Sequence, residues 1–269
     1  MEIPLAEVCA EIKAADPSRF VTAASNRLGT KSLNTIPDTI SFNLYPGWYS
    51  ARPEGIRWYR REITHADAQM TDILGRLCAS NGISMLGIGE YGAGAVKGIR
   101  GDMFAEPVVD GISVRSYSED FQVGAHYVNY RAILDDDRVW GSFVWEMFDS
   151  GSDNRKESVR HGINNKGLVT FDRKSAKAAF WFYKANWNPE PMLYLLGHDR
   201  KEMPGRTAQV CALCNAGAVT LKVNGRLVGT KTPDKVKTAL WLNVPLKPGA
   251  NQIELSCGSL RASAVWNVP

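Results

Sequence analysis

The chain has 269 residues, with 32 Lys and Arg against 28 Asp and Glu, so its formal net charge is +4. This length allows a sizeable core and indicates two domains. The charge is too small and too interleaved to favour a nucleic-acid partner. No apolar run approaches the ~18 residues that a membrane span needs, and an odd number of cysteines, 5, does not indicate a disulfide framework.

Helical and strand patterns alternate over the first 190 residues. The opening helix has an apolar face at helical spacing, from Leu5 to Ile12, and ends before Pro17. This alternation predicts a parallel sheet. The strand–helix units are too few for a closed (β/α)8 barrel, so we expect only its second half in this chain. The predicted strands cover residues 20–24, 39–45, 83–88 and 139–144, and the predicted helices that follow cover 64–80, 117–134 and 175–187.

Glu90 follows the third predicted strand directly. A carboxylate at the carboxyl tip of a buried strand is typical of a catalytic residue at the mouth of an α/β barrel. The glycines after it add no bulk, so a flat substrate such as a sugar ring could approach the backbone. Residues 87–92 also match G-x-G-x-x-G, but the glycine-rich run 93–98 does not open the helix that a dinucleotide site needs. We therefore exclude a dinucleotide site.

The pattern changes after the Pro-Glu-Pro segment at 189–191, where short β-rich runs replace helical periods. Turn signals such as Asn224-Gly225 separate the runs. We predict a partial barrel domain over 1–190 and a small antiparallel, immunoglobulin-like β-sandwich over 191–269. The predicted strands of the second domain cover 192–196, 209–213, 219–223, 238–244, 252–256 and 262–266.

Cysteine and histidine spacing indicates no metal site. Cys211 and Cys214 have C-x-x-C spacing, but they lie in an apolar, strand-like stretch without a second pair or a nearby histidine. We interpret them as strand residues rather than as a zinc or redox site. The histidines have no metal-ligand spacing and are interpreted as structural or exposed: His65, His126, His161 and His198.

Several stretches together resemble glycoside hydrolase family 2, which contains β-galactosidases, β-glucuronidases and β-mannosidases. The run Gly-Glu-Tyr-Gly-Ala-Gly at 89–94 resembles the nucleophile motif of that family. The likeness covers nearly all of residues 5–190, and the tail is similar to the β-sandwich that follows the barrel in many bacterial β-galactosidases of the family. The other matching stretches, in the order of the family, are 16–24, 42–49, 143–149, 164–169 and 172–174.

This resemblance implies an α/β fold, namely the C-terminal half of a (β/α)8 TIM barrel (strands five to eight) followed by a small antiparallel β-sandwich. It also implies a retaining mechanism, in which Glu90 is the nucleophile and a second Glu, about 5 Å away, is the acid/base. In the family that second residue belongs to an Asn-Glu pair that would precede Leu5. Glu2 follows no Asn and no apolar strand, so we interpret it as a helix residue. We expect the isolated chain to have little or no hydrolase activity, and its strand edges to invite association.

The resemblance further assigns roles around the nucleophile. Along the second predicted strand Ile40, Phe42 and Leu44 lie on one face, and Ser41, Asn43 and Tyr45 share the other, polar face. Asn43 would contact the sugar, and Tyr45 would orient Glu90 by a hydrogen bond. Trp48 and Tyr49 would form a wall of the sugar site, with loop packing as the alternative for both.

Trp145 would be an aromatic platform under the sugar ring. Glu146 stands where the family commonly has Asn, and strand alternation directs it away from the face of Trp145. A rival catalytic role for Glu146 stays open. Asn164 and Lys166 form the Asn-x-Lys pattern that β-glucuronidases use against the sugar carboxylate.

The first expectation is exo-hydrolysis of terminal β-galactosides from glycans, with a carbohydrate substrate as partner and no cofactor or metal. One alternative is a β-glucuronide or galacturonide, which Lys166 would favour if it were directed into the pocket. The other alternative is a catalytically inactive fragment that binds sugar weakly or only associates with other chains. No nucleic acid or membrane is expected, and homo-oligomer formation and the compartment stay open.

Overall fold

The computed structural model describes residues 2–48, 66–104, 109–110, 113–114, 117–155 and 161–269. The chain divides into two compact units, which are described separately. Unit 1 contains Met1–Ala93 and Val128–Glu146, and unit 2 contains Gly94–Tyr127 and Met147–Pro269. The division at residue 190 that the sequence predicts stays a prediction.

The described helices are α1 (Glu2–Ala15), α2 (Lys31–Asn34), α3 (Ala66–Asn81), α4 (Glu119–Leu134) and α5 (Ala178–Trp187). The described strands are β1 (Thr22–Ser25), β2 (Thr39–Asn43), β3 (Leu86–Tyr91), β4 (Val109–Asp110), β5 (Ser113–Val114), β6 (Val139–Val144), β7 (Ser150–Gly151), β8 (Ile163–Asn164), β9 (Leu193–Leu195), β10 (Thr207–Cys214), β11 (Val219–Val223), β12 (Arg226–Lys231), β13 (Thr238–Pro245), β14 (Gly249–Cys257) and β15 (Leu260–Val268). Among these helices, none combines the length and the apolarity that crossing a bilayer requires.

Unit 1 is built on a parallel sheet in the order β1-β2-β3-β6. The parallel arrangement agrees with the prediction from alternating patterns. Ile40, Phe42 and Leu44 are buried, as their period of two in the sequence predicts. Ser41, on the other face, is buried as well, and its hydroxyl donates to the carbonyl of Ala23 at 3.1 Å. Helix α3 buries its apolar side with Met70, Ile73, Leu74 and Leu77.

Helix α1 has no buried residue. Val8 and Ile12, from its predicted apolar face, are 51% and 49% exposed. Lys13 anchors the end of the helix, since its Nζ donates to the carbonyl of Arg19 at 2.8 Å and lies 3.0 Å from the Asp38 carboxylate. The described part of unit 1 therefore leaves the apolar face of α1 largely open.

Unit 2 ends in two antiparallel sheets, β13-β10-β9 and β12-β11-β14-β15. Both sheets contribute side chains to one hydrophobic core, including Val210, Trp241, Ile253 and Trp266. Strand β12 is absent from the predicted runs because its side chains are almost all exposed and show no apolar alternation. It pairs with β11 across the predicted Asn224-Gly225 turn, where φ is 52° and 75° at the two residues, as a tight hairpin requires.

Candidate active site

Tyr45 and Glu90 form the centre of the candidate site in unit 1. Glu90 lies near the carboxyl end of β3 and is half-buried, and Tyr45 follows β2 and is buried. The Tyr45 hydroxyl donates to Oε2 of Glu90 at 2.5 Å, a length typical of hydrogen bonds to an ionised acceptor. The amide of Leu44 also donates to the Glu90 carbonyl at 2.8 Å. Side chain and backbone together fix the carboxylate relative to β2.

A β-bulge lies directly before Glu90. Phe42 pairs with Ile88, but Asn43 then pairs with Glu90, so Gly89 is the extra residue on β3. Bulges of this kind redirect the side chain that follows and are common beside active sites. The regular pairing of β3 with β2 is therefore interrupted directly before the candidate nucleophile.

Asn43 lies over Gly89. A Cβ added to Gly89 would come within 2.8 Å of Oδ1 of Asn43 and 3.0 Å of Oγ of Ser41. The Asn43 Oδ1 is buried and has no hydrogen-bond partner among the described residues. A buried acceptor without a partner is costly, and a substrate hydroxyl could satisfy it. Only glycine at position 89 leaves room for this amide.

The turn after β2 is held from α4. The buried Asn129 donates from Nδ2 to the carbonyl of Pro46 at 3.1 Å, and the amide of Trp48 donates to the carbonyl of Tyr45 at 3.2 Å. Trp48 is 4% exposed. Tyr49 lies outside the described residues. Sequence reasoning missed Asn129, which supports the turn that contains Tyr45.

Trp145 comes directly after β6, and its amide donates to the carbonyl of Tyr91 at 2.9 Å. The peptide bond between Trp145 and Glu146 is cis. Exposure alternates along this segment: Phe143, Trp145 and Met147 are exposed, whereas Glu146 is half-buried. The Trp145 ring is thus accessible to a ligand.

Asn164 and Lys166 lie in unit 2, and both are buried. The Asn164 Oδ1 accepts a hydrogen bond from the Lys166 amide at 3.4 Å. Gln122 of α4 donates to the carbonyl of Gly167 at 3.2 Å, and the Gly167 amide donates to Oδ1 of Asp149 at 2.9 Å. The Asn-x-Lys segment is therefore an ordered part of unit 2.

Sequence reasoning also missed an ion pair beside this segment. Lys177 is fully buried, and its Nζ lies 2.6 Å from Oδ1 of Asp149. For Lys177 a sequence signal was present, because this residue stands between Ala176 and Ala178 in an apolar stretch where a charge is unusual. A buried charge in such a place must be paired.

The surroundings of His126 and Cys211 indicate a structural role for both side chains. Burial lowers the pKa of His126 to about 3, so the ring is neutral at pH 7, and its Nδ1 lies 2.8 Å from the Tyr183 hydroxyl. Cys211 and Cys214 are buried free thiols in β10, and burial raises the pKa of Cys211. Such a thiol is protonated and unreactive at neutral pH.

Comparison with known proteins relates the chain to glycoside hydrolases. It is 38% identical to a β-glucuronidase of Bacteroides fragilis over 254 residues, which are 93% of this chain and 33% of that protein. The chain thus spans about a third of the length of the curated relatives it matches. No protein-family model matches it.

Solved structures agree with this relationship. An FMN-binding β-glucuronidase from Faecalibacterium prausnitzii L2-6 matches with a TM-score of 0.81 and 29% identity, over 100% of this chain and 38% of that one. A putative β-galactosidase from Bacteroides fragilis matches with a TM-score of 0.84 and 24% identity, over 99% of this chain and 38% of that one. The second likeness concerns the fold alone. The homologues of this chain are β-glucuronidase- and β-galactosidase-like proteins.

Proposed function

We propose that this chain supplies the nucleophile of a retaining glycoside hydrolase, with Glu90 in that role. The observation that carries the proposal is the hydrogen bond from Tyr45 to Glu90 at the carboxyl ends of adjacent parallel strands. The Glu90 carboxylate attacks the anomeric carbon as the glycosidic C–O bond breaks, and the leaving oxygen takes a proton from a second carboxylic acid. Water then gives a proton to that second group and releases the sugar from Glu90.

Tyr45 and Asn43 would prepare this step. The Tyr45 hydroxyl holds Oε2, which leaves Oε1 of Glu90 to attack. Asn43 offers its unpaired Oδ1 to a sugar hydroxyl. Trp145 would stack on the apolar face of the sugar ring, with Trp48 and Tyr49 contributing to the wall of the site. The steps above require no cofactor.

The leading substrate class is a β-glucuronide. The sequence analysis gave β-galactosides as the first expected substrate class, but the names of the relatives favour β-glucuronides at least as well. Asn164 and Lys166 would bind the carboxylate of the sugar, because an ammonium group is a point charge for an anion. A β-galactoside is the second candidate, favoured by the tail's likeness to the domain that follows the barrel in many β-galactosidases.

We also infer that β1, β2, β3 and β6 are strands five to eight of a (β/α)8 barrel, and that the two final sheets form a β-sandwich. The parallel strand order supports the first inference, and the common core of the two sheets supports the second. Phe20, Met85 and Phe143 are 83%, 50% and 56% exposed in unit 1. Exposed side chains of this size and polarity are suited to further protein packed against them.

The acid/base residue would come from outside this chain in the whole protein, since the relatives are about three times as long. Loss of acid/base assistance typically costs about 10²–10⁴-fold in rate. We therefore expect the 269-residue chain to turn over unactivated glycosides barely or not at all. Robust turnover by this chain would contradict that expectation.

A trapping experiment tests the nucleophile without requiring turnover. A cyclophellitol aziridine with a carboxylate at the C6 position is opened by a carboxylate nucleophile, forming an ester while the ring nitrogen takes a proton from solvent. We expect intact-mass spectrometry to show one adduct and peptide mapping to place it on Glu90. The galacto-configured neutral aziridine should react more slowly.

Glu90→Gln and Glu146→Gln are the matched variants. The first should abolish labelling because the amide is a poor nucleophile, and the second should leave labelling on Glu90. An adduct on Glu146, or labelling that survives Glu90→Gln, would remove Glu90 from the proposed role. Faster reaction of the galacto-configured reagent would make a β-galactoside the leading substrate.

A further inference from the structure

Lys177 in unit 2 is completely buried and connects three separate parts of the chain. Its Nζ donates to Oδ1 of Asp149 at 2.6 Å, to the carbonyl of Ala95 at 2.7 Å and to the carbonyl of Asn165 at 3.0 Å. These distances correspond to charge-assisted hydrogen bonds. An ammonium group has three protons to donate, so one lysine can serve three separate acceptors.

The place of this charge in the fold is unfavourable in itself. Lys177 is the N-cap residue of α5, where the helix dipole disfavours a cation. Burial disfavours the charged form further. Two carboxylates offset this cost: Asp149 at the ammonium group, and Glu119, which accepts a hydrogen bond from the Ala178 amide at 2.6 Å. A neutral side chain at this position would avoid the cost of burying a cation at a helix N-terminus. What the lysine provides in return is its three hydrogen bonds.

Each of the three contacts fixes a segment that contains residues of the proposed site or lies close to them in the sequence. Asn165 stands between Asn164 and Lys166, and Ala95 comes five residues after Glu90 in the chain. The Ala95 amide also donates to the Asn165 carbonyl at 2.9 Å, and Oδ1 of Asp149 accepts from the Gly167 amide at 2.9 Å. The carbonyl of Asn165 thus receives both the ammonium of Lys177 and an amide. The Asn-x-Lys segment is therefore held at its middle residue, Asn165, and directly after Lys166, at Gly167.

We propose that Lys177 is a positioning residue that fixes the Asn164–Lys166 segment and thereby determines the preference for a carboxylate-bearing sugar. The part concerning the sugar rests on the proposed function; the part concerning the segment does not. Lys177 itself does not touch the sugar. It acts through the backbone at Asn165, so its removal should alter discrimination between sugars more than reactivity at Glu90.

The first experiment measures amide hydrogen exchange in the whole chain carrying Lys177→Met. Methionine is similar in length and has no charge. We expect exchange to rise about tenfold or more at residues 94–96 and 163–167, with β10 to β15 unchanged, because only local opening becomes easier. Lys174→Met, at an exposed lysine in the preceding loop, should resemble wild type. No change in these two segments, or an equal rise throughout unit 2, would overturn the positioning role.

Because Lys177→Met removes a cation 2.6 Å from the buried Asp149 carboxylate, we expect the single variant to lose stability. Lys177→Met combined with Asp149→Asn removes both charges and keeps an oxygen at position 149 for the Gly167 amide. We expect the double variant to regain much of the lost thermal stability while the raised exchange at 163–167 persists. Wild-type protection of that segment in the double variant would overturn the proposal.

The second experiment compares the rates at which the carboxylate-bearing and neutral aziridines label Glu90. Misplacement of a binding group should lower the ratio of the two rates roughly 10-fold or more in the double variant, with little change in the neutral reaction. A purely structural role would lower both rates together and leave the ratio unchanged, which would overturn the specificity role. Failure of wild type to react with either reagent would instead refute the proposed function, and the exchange pattern would still decide whether Lys177 positions the segment.

Discussion

The Tyr45 hydroxyl and the Glu90 carboxylate are 2.5 Å apart although the two residues are separated by 45 positions in the chain. The contact exists because β2 and β3 are adjacent and parallel, so residues at their carboxyl ends meet at one edge of the sheet. The bulge at Gly89 and the bond from the Leu44 amide to the Glu90 carbonyl define the orientation further. The geometry suits a carboxylate that must present one defined oxygen to a substrate.

Tyr45→Phe removes the hydroxyl and keeps the ring. We expect the rate of aziridine labelling at Glu90 to fall roughly 10- to 100-fold, because a hydrogen bond to a charged group contributes about 1.5–3 kcal/mol. Intact-mass spectrometry of samples quenched at successive times measures this rate. Tyr194→Phe is the control, since the Tyr194 hydroxyl is buried without a hydrogen-bond partner among the described residues. Equal rates in wild type and Tyr45→Phe would show that Tyr45 does not orient the nucleophile.

Much of the site geometry follows from patterns that are local in sequence. The alternation of Ile40, Phe42 and Leu44 predicted the buried face of β2, and the position of Glu90 after an apolar run predicted its place at a strand end. Both predictions need only neighbouring residues. The buried face follows from the period of two in a strand, and the strand end follows from a carboxylate that interrupts an apolar run. The turn at Asn224-Gly225 was predictable for the same reason.

The supporting residues were not predictable in this way. Asn129 bonds to a carbonyl 83 positions away, and Lys177 to one 82 positions away. A backbone carbonyl has no sequence signature, so nothing near either residue identifies its partner. The bulge at Gly89 depends on pairing with β2, and β12 has too few buried side chains to produce an apolar period. Most of the features that could not be predicted from the sequence therefore depend on contacts between residues distant in the chain.

Gly87 and Gly141 are paired residues on adjacent strands with different surroundings. A Cβ at Gly87 would lie 2.4 Å from the Trp140 ring, whereas a Cβ at Gly141 would meet nothing within 4 Å. We expect Gly87→Ala to lower the free energy of unfolding by about 1–3 kcal/mol, because a rigid ring must move. Gly141→Ala should be neutral or slightly stabilising. Urea denaturation of both variants measures the difference, and equal stabilities would contradict the close approach of Trp140.

The Asp136–Arg138 pair predicts an acid-dependent loss of stability. Arg138 Nε and Nη2 donate to the two Asp136 oxygens at 2.7 and 2.6 Å, and Nη2 also donates to the carbonyl of Thr71. The hydrogen bonds from Arg138 hold the pKa of Asp136 below its ordinary value of 3.8. A depressed carboxyl pKa contributes stability above the ordinary value, and this contribution is lost as the pH falls through the folded-state pKa.

Asp136→Asn should therefore destabilise the chain by about 1 kcal/mol at pH 7, and its difference from wild type should shrink as the pH falls below 3.8. Urea midpoints at pH 7 and at pH 3 measure this. Asp137→Asn, at the exposed neighbour, controls for the loss of one negative charge. A difference that stays constant with pH would exclude the ion pair as its source.

Glu119 is the first residue of α4 and is fully buried in unit 2. Its oxygens accept hydrogen bonds from the Gly98 amide at 2.7 Å and from the Ala178 amide at 2.6 Å, and Lys97 Nζ lies 3.3 Å away. Glu119→Gln replaces one acceptor oxygen with a donor that faces an N–H group, and it removes the buried negative charge that faces Lys97. We expect a loss of about 3–5 kcal/mol in the free energy of unfolding. Glu254→Gln, at an exposed glutamate of β14, should stay within about 0.5 kcal/mol of wild type. Equal denaturation midpoints for the two variants would show that Glu119 does not hold the amino-terminal ends of α4 and α5 in place.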